Sequence, residues 1–434
     1  MSELQRVVDA LARVTHRAVA IHDQQGRILA YSSHEGPVDE VRTKSILTRK
    51  TSRPAYNWAR TLGIEKAKEP MRIPANREFG MDARICCPVR FDERLLGLLW
   101  LVDADESLPD QAMSEVEAAA NSAALAIEHE HLIEQLERGK ERELLRDLLS
   151  EQVDIRTHAA EELIGSNILV STDCIVALVV RPVKERAGMT LKDRSLRTAI
   201  ERALASVRRT LSPHQALHLV RPDHGLLLVC ARLREVREGG EIERTGNLLH
   251  EEAIKALGQQ SWNAVVGIGD AQTELTDAYV TYRRARQSAE VCGLVESFGD
   301  VAAWWQLGVY QTLVELSVST LTEDSLHHGL IRLLQTREPD LWLRTLECYL
   351  DLGCDARATA KTLNLQRGSL YYRLRRMEEL AGVDLRKGDD RLALHLGIKL
   401  ARLAGLIDMR PTVSKPNGST TASSAKVLRA GSKR

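Results

Sequence analysis

The stretch "LNLQRGSLYYRLRRMEEL" (residues 363–380) holds four arginines ahead of its first acid, in a chain whose formal net charge is zero. Apolar residues recur in it and just beyond it at Leu370, Leu374, Met377 and Ala381. Because residues with this spacing line one side of an α-helix, we predict a helix that begins near Gln366 and buries that side. The arginines then belong either to a solvated helix face or to a surface that meets a polyanion.

A second, shorter helix is predicted directly before this one. Asp355 is a good N-cap, since its side chain can accept hydrogen bonds from the free amides of a first helical turn. Ala360 and Leu363 share a face of the short helix, and Asn364 ends it. Residues 355–381 therefore have the order of a helix-turn-helix, which presents its second helix to the major groove of DNA.

The second helix supplies candidate DNA contacts. Arginine can bind phosphates or guanine edges, and tyrosine can add hydrogen bonds or methyl contacts. Arg373 could instead pair with Glu347 or Asp351 as a structural residue. We predict that DNA is contacted by Gln366, Arg367, Gly368, Ser369, Tyr371, Tyr372, Arg373, Arg375 and Arg376.

The whole chain has the composition of a globular protein with several cores. Its 434 residues, of which 44% are hydrophobic and 28% charged, suggest about three domains at roughly 150 residues each. No apolar run approaches the ~20 residues of a membrane span, and no signal peptide is recognised. The seven cysteines lack paired spacing, which indicates a reducing cytoplasm and no zinc cluster. We expect no metal and no cofactor.

The N-terminal part is predicted to be a small α+β domain, residues 1–108. Residues 18–32 and 83–105 each contain two apolar runs around a turn, as β-hairpins do. Residues 38–50 and 54–63 between them have helical spacing. Candidate ligand-binding residues, each of which could equally be core, are Tyr31, Trp58, Cys87 and Trp100.

A long helix is predicted over residues 109–151. Its apolar stripe includes Val116, Ala120, Ala123 and Ile127, and continues through Leu132 and Leu136. Such a stripe is typical of a packing seam. The seam would join two copies of the chain, or else the helix would lie on its own domain.

Residues 152–298 are predicted to form a second α+β domain in the order βαββαβα, with helices on one face of a sheet. The segment contains neither a Gly-x-x-x-x-Gly-Lys phosphate loop nor a GxGxxG motif, so we expect no catalytic residues. Residues 299–408 have helical spacing throughout and no strand pattern, which predicts an all-helical end domain. Residues 409–434 are basic and rich in Ser, Thr, Lys and Gly, so we expect them to be disordered.

The segments "LWLRTLECYL" (341–350) and "RGSLYYRLRRMEEL" (367–380) resemble the C-terminal domain of the PucR, or CdaR-like, bacterial transcription regulators. Gln366 stands where that family often has histidine, and Gly368 where it often has asparagine, so no target sequence is carried over. More weakly, residues 1–108 resemble a GAF-type sensor. Residues 152–298 resemble a degenerate GGDEF domain, in which "PDHG" (222–225) replaces the catalytic loop.

The resemblance implies a cytoplasmic regulator that binds double-stranded DNA in response to a small-molecule signal and forms a homo-oligomer. The expected fold is α+β multidomain, with a GAF/PAS-like sensor, a ferredoxin/cyclase-like middle domain and an all-α helix-turn-helix domain. Two alternatives are a nucleotide cyclase-like enzyme and an interaction protein that does not bind DNA. The sequence names neither the effector nor the target genes.

Overall fold

The computed structural model describes residues 2–33, 39–170, 172–184, 193–238, 240–258, 262–316 and 322–407. Two compact units divide the chain, residues 1–140 and residues 141–434. The basic tail predicted for residues 409–434 lies outside the described residues.

The first unit contains an antiparallel sheet in the order β2-β1-β5-β4-β3. The two predicted hairpins are confirmed as β1–β2 and β4–β5, and the two predicted helices as α2 and α3. The sequence did not predict α1 or β3. The elements are α1 (Glu3–Thr15), β1 (Val19–Asp23), β2 (Ile28–Tyr31), α2 (Glu40–Thr48), α3 (Arg53–Thr61), β3 (Met71–Ile73), β4 (Arg84–Phe91), β5 (Arg94–Val102) and α4 (Gln111–Leu148).

Helices cover both faces of this sheet. Apolar residues of α1 and of the first half of α4 form one core with alternate strand residues such as Ile85 and Leu99. Residues of α2 and α3 form the other core with the strand residues between them, such as Cys86 and Trp100. This is the GAF/PAS-like α+β arrangement that the sequence predicted.

The apolar stripe of α4 packs on the unit's own sheet. Val116, Ala120, Ala123 and Ile127 are all buried there, so their prediction as a seam between two chains is wrong. A sheet face rich in leucine and isoleucine offers these side chains a partner within the same unit. Farther along the helix, Leu132, Ile133 and Leu136 are exposed.

The second unit is built around a sheet in the order β10-β9-β6-β8-β7. Its first four strands in chain order follow the ferredoxin-like βαββαβ pattern that the sequence predicted, and they pair antiparallel. The elements are α5 (Val153–Gly165), β6 (Cys174–Lys184), α6 (Asp193–Arg208), β7 (Ala216–Val220), β8 (Gly225–Ala231), α7 (Leu233–Glu238), α8 (Glu241–Leu257), β9 (Trp262–Ile268), α9 (Ala278–Leu294) and β10 (Val301–Ala303).

Both faces of this second sheet are covered, which corrects the prediction of helices on one face. Helices α6 and α8 pack on one face, as predicted. Helix α9 lies on the other, together with α5 and the end of α4. The physical reason lies in β6, whose run "CIVALVV" is buried at every position from Cys174 to Val180 and therefore needs apolar partners on both sides.

Two expectations for the region after residue 300 are wrong. Val301–Ala303 form a short strand, β10, that pairs parallel with β9. Residues 304–316 have helical spacing but do not form one helix, since they contain a 3₁₀ turn, Trp304–Gln306, and the four-residue α10. Helices follow in the rest of the described region, as predicted. This region contains α10 (Tyr310–Leu313), α11 (His328–Leu334), α12 (Pro339–Asp351), α13 (Ala356–Thr362), α14 (Arg367–Ala381) and α15 (Gly388–Leu403).

Candidate nucleic-acid interface

The turn between α13 and α14 follows from three residues of the sequence. The Asp355 carboxylate accepts hydrogen bonds from the backbone N–H groups of Arg357, at 2.7 Å, and Ala358, at 3.0 Å, which caps α13 as predicted. Asn364 has a φ of 52°, a left-handed conformation that asparagine tolerates better than most residues. Gln366 is then extended, and α14 begins at Arg367.

Four apolar residues attach α14 to the end domain. Leu370, Leu374, Met377 and Ala381 are buried, as predicted. They share one core with leucines of α11 and α12 and with Ala360 of α13. The buried side of α14 therefore fixes which of its residues face outward.

The outward side of α14 carries most of the predicted DNA-contacting residues. Tyr371 and Tyr372 are 59% and 70% exposed, which is unusual for tyrosine in a folded domain. A Cβ added at Gly368 would meet no atom within 4 Å. The first turn of the helix is exposed as a whole, at Gln366, Arg367, Gly368 and Ser369.

The arginines of α14 have different partners. Glu379 engages two of them, since its carboxylate lies 3.6 Å from Arg375 Nε and 2.9 Å from Arg376 Nη1. Arg373 is half-buried, and its Nη1 donates to Thr345 Oγ1 at 3.4 Å. Within the described part of the chain, no carboxylate lies within 4.0 Å of the Arg367 guanidinium. Arg367 is therefore an exposed arginine of this helix with no ion pair to a described residue that it would exchange for DNA, unlike Arg375 and Arg376.

The alternative partners of Arg373 are occupied. Glu347 makes an ion pair with Arg402. Asp351 accepts hydrogen bonds from His395 Nε2 at 2.7 Å and from Lys399 Nζ at 2.9 Å. The suggestion that Arg373 pairs with either acid is thus wrong, because residues of α15 lie closer to both.

The candidate ligand-binding residues of the first unit do not form one group. Tyr31 is on β2 and partly exposed, and Trp58 packs beside Phe79. Cys87 and Trp100 lie on opposite faces of the sheet. Burial raises the pKa of the Cys87 thiol to about 12, which keeps it protonated at neutral pH.

Of these four residues, Trp100 lines an internal cavity between the sheet and α2. Its neighbours there include His22, Arg42, Ser45 and Arg84, which the sequence did not predict as ligand-binding residues. No clear sequence signal marked them, because the apolar residues of α2 do not lie on one side and Leu47 is exposed.

The turn "PDHG" (222–225) is held to the core by its histidine. His224 is buried, with Nδ1 2.8 Å from Asp223 Oδ1 and Nε2 2.9 Å from Tyr282 Oη.

None of the described helices is both long and apolar enough to span a membrane. Within the same residues, no three His, Cys, Asp or Glu side chains come together as a metal site.

Comparison with known proteins identifies this end domain. The family model for the PucR C-terminal helix-turn-helix domain matches residues 342–400. The DNA-binding transcriptional activator AdeR of Bacillus subtilis (strain 168) is 21% identical over 92% of this chain and 93% of AdeR. The proline-responsive transcriptional activator PutR of the same organism is 20% identical over 92% of this chain and 97% of PutR. The carbohydrate diacid regulator of Escherichia coli (strain K12) is 38% identical over 18% of this chain and 20% of that protein.

The exposed basic helix of the helix-turn-helix and this similarity make the chain a DNA-binding transcription regulator. Its helices α12 to α15 match the PucR C-terminal helix-turn-helix domain, and part of the chain is similar to the carbohydrate diacid regulator.

Proposed function

We propose that this regulator acts in the cytoplasm, reads a specific DNA sequence with the first half of α14, and does so in response to a small metabolite bound by its first unit. The observation that supports the DNA proposal most directly is the exposed first turn of α14, held outward by four buried apolar residues. Support for a metabolite signal comes from the relatives, of which PutR is named as proline-responsive.

The residues of α14 contact different parts of the DNA according to their position in the helix. Arg367, in the exposed first turn, reaches base edges in the major groove, and the exposed Tyr372, one turn beyond Gly368, shares that readout. Arg375 and Arg376 bind phosphate, which requires them to exchange Glu379 for DNA. Gln366, Ser369 and Tyr371 lie close enough to the first turn to share the contacts.

The test begins with a duplex selected from a random pool by the wild-type protein, and a scrambled duplex of the same composition. Binding to the selected duplex should be tighter and should fall steeply with salt, since phosphate contacts release counterions. Arg367→Ala should weaken binding to the selected duplex. Arg142→Ala is its matched control, because it removes the same charge from an exposed position of α4. Equal, salt-insensitive binding of both duplexes would favour an interaction protein instead.

A homo-oligomer is part of the proposal. Leu132, Ile133 and Leu136 are exposed on α4, and a groove of about 620 Å³ runs between α1 and α4, lined by apolar residues such as Val7 and Ala118. A second copy of the chain would cover such surfaces and would present a second helix-turn-helix to a paired half-site. Leu132→Glu should weaken self-association in light scattering, and a wild-type monomer at micromolar concentration would contradict the proposal.

The middle domain is proposed to be catalytically silent, because "RPDHG" (221–225) replaces an acidic metal-binding loop and its histidine is hydrogen-bonded in the core. Incubation with GTP or ATP and magnesium or manganese should yield no cyclic product. Cyclic nucleotide in molar excess over the protein would show an enzyme.

A further inference from the structure

We propose that the first unit binds the carboxylate of a small organic acid in the cavity between its sheet and α2, with the short apolar body of the acid toward α3. This inference rests on the proposed function, since it names the class of metabolite to which the regulator responds. It is carried by buried cations and unpartnered donors around the cavity.

The cavity has polar walls. It measures about 20 Å³ and is lined by residues of β1, α2, β4 and β5, among them His22, Arg42, Ser45, Arg84 and Trp100. All five of these residues are less than 9% exposed. A space of this size admits about one water molecule, so a four-carbon acid would bind only if α2 and α3 moved away from the sheet. The polar groups around the space favour an occupant, because buried polar groups need hydrogen-bond partners.

Two of these side chains lack a partner. Among the described residues, Ser45 Oγ and Trp100 Nε1 are buried without a hydrogen bond. Ser45 is 3% exposed and Trp100 6%. Both are donors, and a carboxylate oxygen would accept from both.

Among the described residues, the charges at the cavity leave one arginine without a carboxylate partner. Arg84 pairs with Asp39, whose other oxygen accepts from the backbone N–H of Arg42 at 2.7 Å. The Arg42 guanidinium itself donates to carbonyl oxygens only, Ser32 O at 2.9 Å and Val19 O at 3.4 Å. Over the described residues, no carboxylate lies within 4.0 Å of it. In the part of the cavity wall that the structure describes, two arginines thus face one acid.

The histidine of the cavity does not add an anion or a further cation. Burial, followed by the positive charges of Arg84 and Arg42, lowers the pKa of His22 to about 3, so the ring is neutral near pH 7. Burial and then Arg84 also lower the pKa of Arg42. Burial is the larger cause of both shifts, the positive charge of a neighbouring arginine acts in the same direction, and an anion in the cavity would oppose the effect of that charge.

A neighbouring cavity suggests the rest of the ligand. It measures about 10 Å³ and shares His22, Arg84 and Trp100 with the first, while the remainder of its wall is mostly apolar, including Val41, Ala55, Ala59 and Met81. A carboxylate in the first cavity would direct a short carbon chain toward this second space. An ammonium group would meet the two arginines, so we expect the site to reject amino acids of the same skeleton.

A single buried water is the alternative occupant, since it could satisfy both unpartnered donors. A water brings no charge and cannot balance Arg42. The two occupants predict different responses to added carboxylate.

The experiment uses the full chain and three probes of similar carbon skeleton: 2-oxobutyrate, the zwitterion 2-aminobutyrate, and the cation sec-butylammonium. Binding is followed by titration calorimetry and by the midpoint of thermal unfolding. We expect 2-oxobutyrate to bind and stabilise at least tenfold better than 2-aminobutyrate, and sec-butylammonium not to bind. Failure of 2-oxobutyrate to bind, or equal binding of all three probes, would overturn the inference.

Variants locate the site. Ser45→Val fills the cavity with an apolar group, and Arg42→Met removes the arginine that has no carboxylate partner among the described residues. Each substitution should therefore weaken the binding of 2-oxobutyrate at least tenfold. Lys44→Met is the matched control, since it removes a cation from the exposed side of the same helix, and it should change binding less than twofold. Arg42→Met also loses two backbone hydrogen bonds, so Ser45→Val carries the test if that variant fails to fold. Unchanged 2-oxobutyrate binding by Ser45→Val would place the acid elsewhere.

The failure of this inference is distinguishable from failure of the proposed function. Binding of the selected duplex is measured on the same wild-type preparation. If the duplex binds with sequence preference and 2-oxobutyrate does not bind, the carboxylate site is wrong and DNA recognition stands. If no duplex is preferred, sequence-specific DNA recognition is wrong whatever the acid does.

Discussion

Replacing Gly368 with alanine should move stability and DNA affinity in opposite directions. Gly368 is the second residue of α14, its backbone is helical, and it is exposed. A Cβ at this position would meet no atom of the protein within 4 Å. Alanine therefore fits the free protein without strain, and the added methyl group would occupy the space that DNA must enter.

The expected magnitudes follow from these facts. Where the native backbone suits alanine, Gly→Ala stabilises by about 0.4–1 kcal/mol, because the unfolded chain loses conformational freedom. On DNA, glycine permits the closest approach of a backbone to its ligand. We expect the methyl group to weaken binding to the selected duplex roughly tenfold, which corresponds to about 1.4 kcal/mol of binding free energy.

Differential scanning calorimetry gives the stability and equilibrium binding to the selected duplex gives the affinity. The matched control is Gly139→Ala in α4, where a Cβ also meets no atom within 4 Å. The control should stabilise the protein and leave DNA binding unchanged. Full affinity in a stabilised Gly368→Ala variant would refute the placement of this turn against DNA, and a destabilised variant would refute the argument from open space.

Further predictions concern charge. Arg367→Ala should cost about 1–3 kcal/mol of binding free energy on the selected duplex and relax the sequence preference of the protein. Arg376→Ala should weaken binding to both duplexes alike and lower the salt slope by about one unit. If neither substitution has an effect, α14 is a solvated helix face that does not contact DNA. Glu379→Gln should strengthen binding to both duplexes and steepen its salt dependence, because the Glu379 carboxylate lies 2.9 Å from Arg376 and competes with phosphate for it. Weaker binding by this variant would contradict the competition. The pKa of Asp351 is lowered to about 2, mainly by its hydrogen bond to His395, so its stabilising contribution is present above its unfolded pKa of about 4 and lost as the pH falls toward 2. Asp351→Asn should therefore lower the thermal midpoint at neutral pH and matter less at about pH 3, and an equal loss at both would show that the charge is not responsible.

The two ends of α4 show how far a periodic pattern can be read. The spacing of Val116, Ala120, Ala123 and Ile127 correctly indicated a buried face. It did not say what covers that face, because a leucine-rich sheet and a second copy of the helix satisfy the same pattern. The same ambiguity led to the one-sided cover predicted for the second sheet, although the apolar run of β6 already contained the signal for two covered faces.

Residues close in sequence determined the helix-turn-helix by themselves. The cap at Asp355 and the left-handed turn at Asn364 depend on interactions within a few residues. The apolar spacing along α14 shows which side of that helix is buried, although its partners lie in α11 and α12. Only tertiary structure decided β10, since three residues carry no periodicity and this strand exists through its pairing with β9. Tertiary structure alone likewise brought together His22, Arg42 and Arg84, which lie on β1, α2 and β4. A single polar residue in an apolar segment has no local meaning, and it acquires one only when the fold sets other residues within a few ångströms of it.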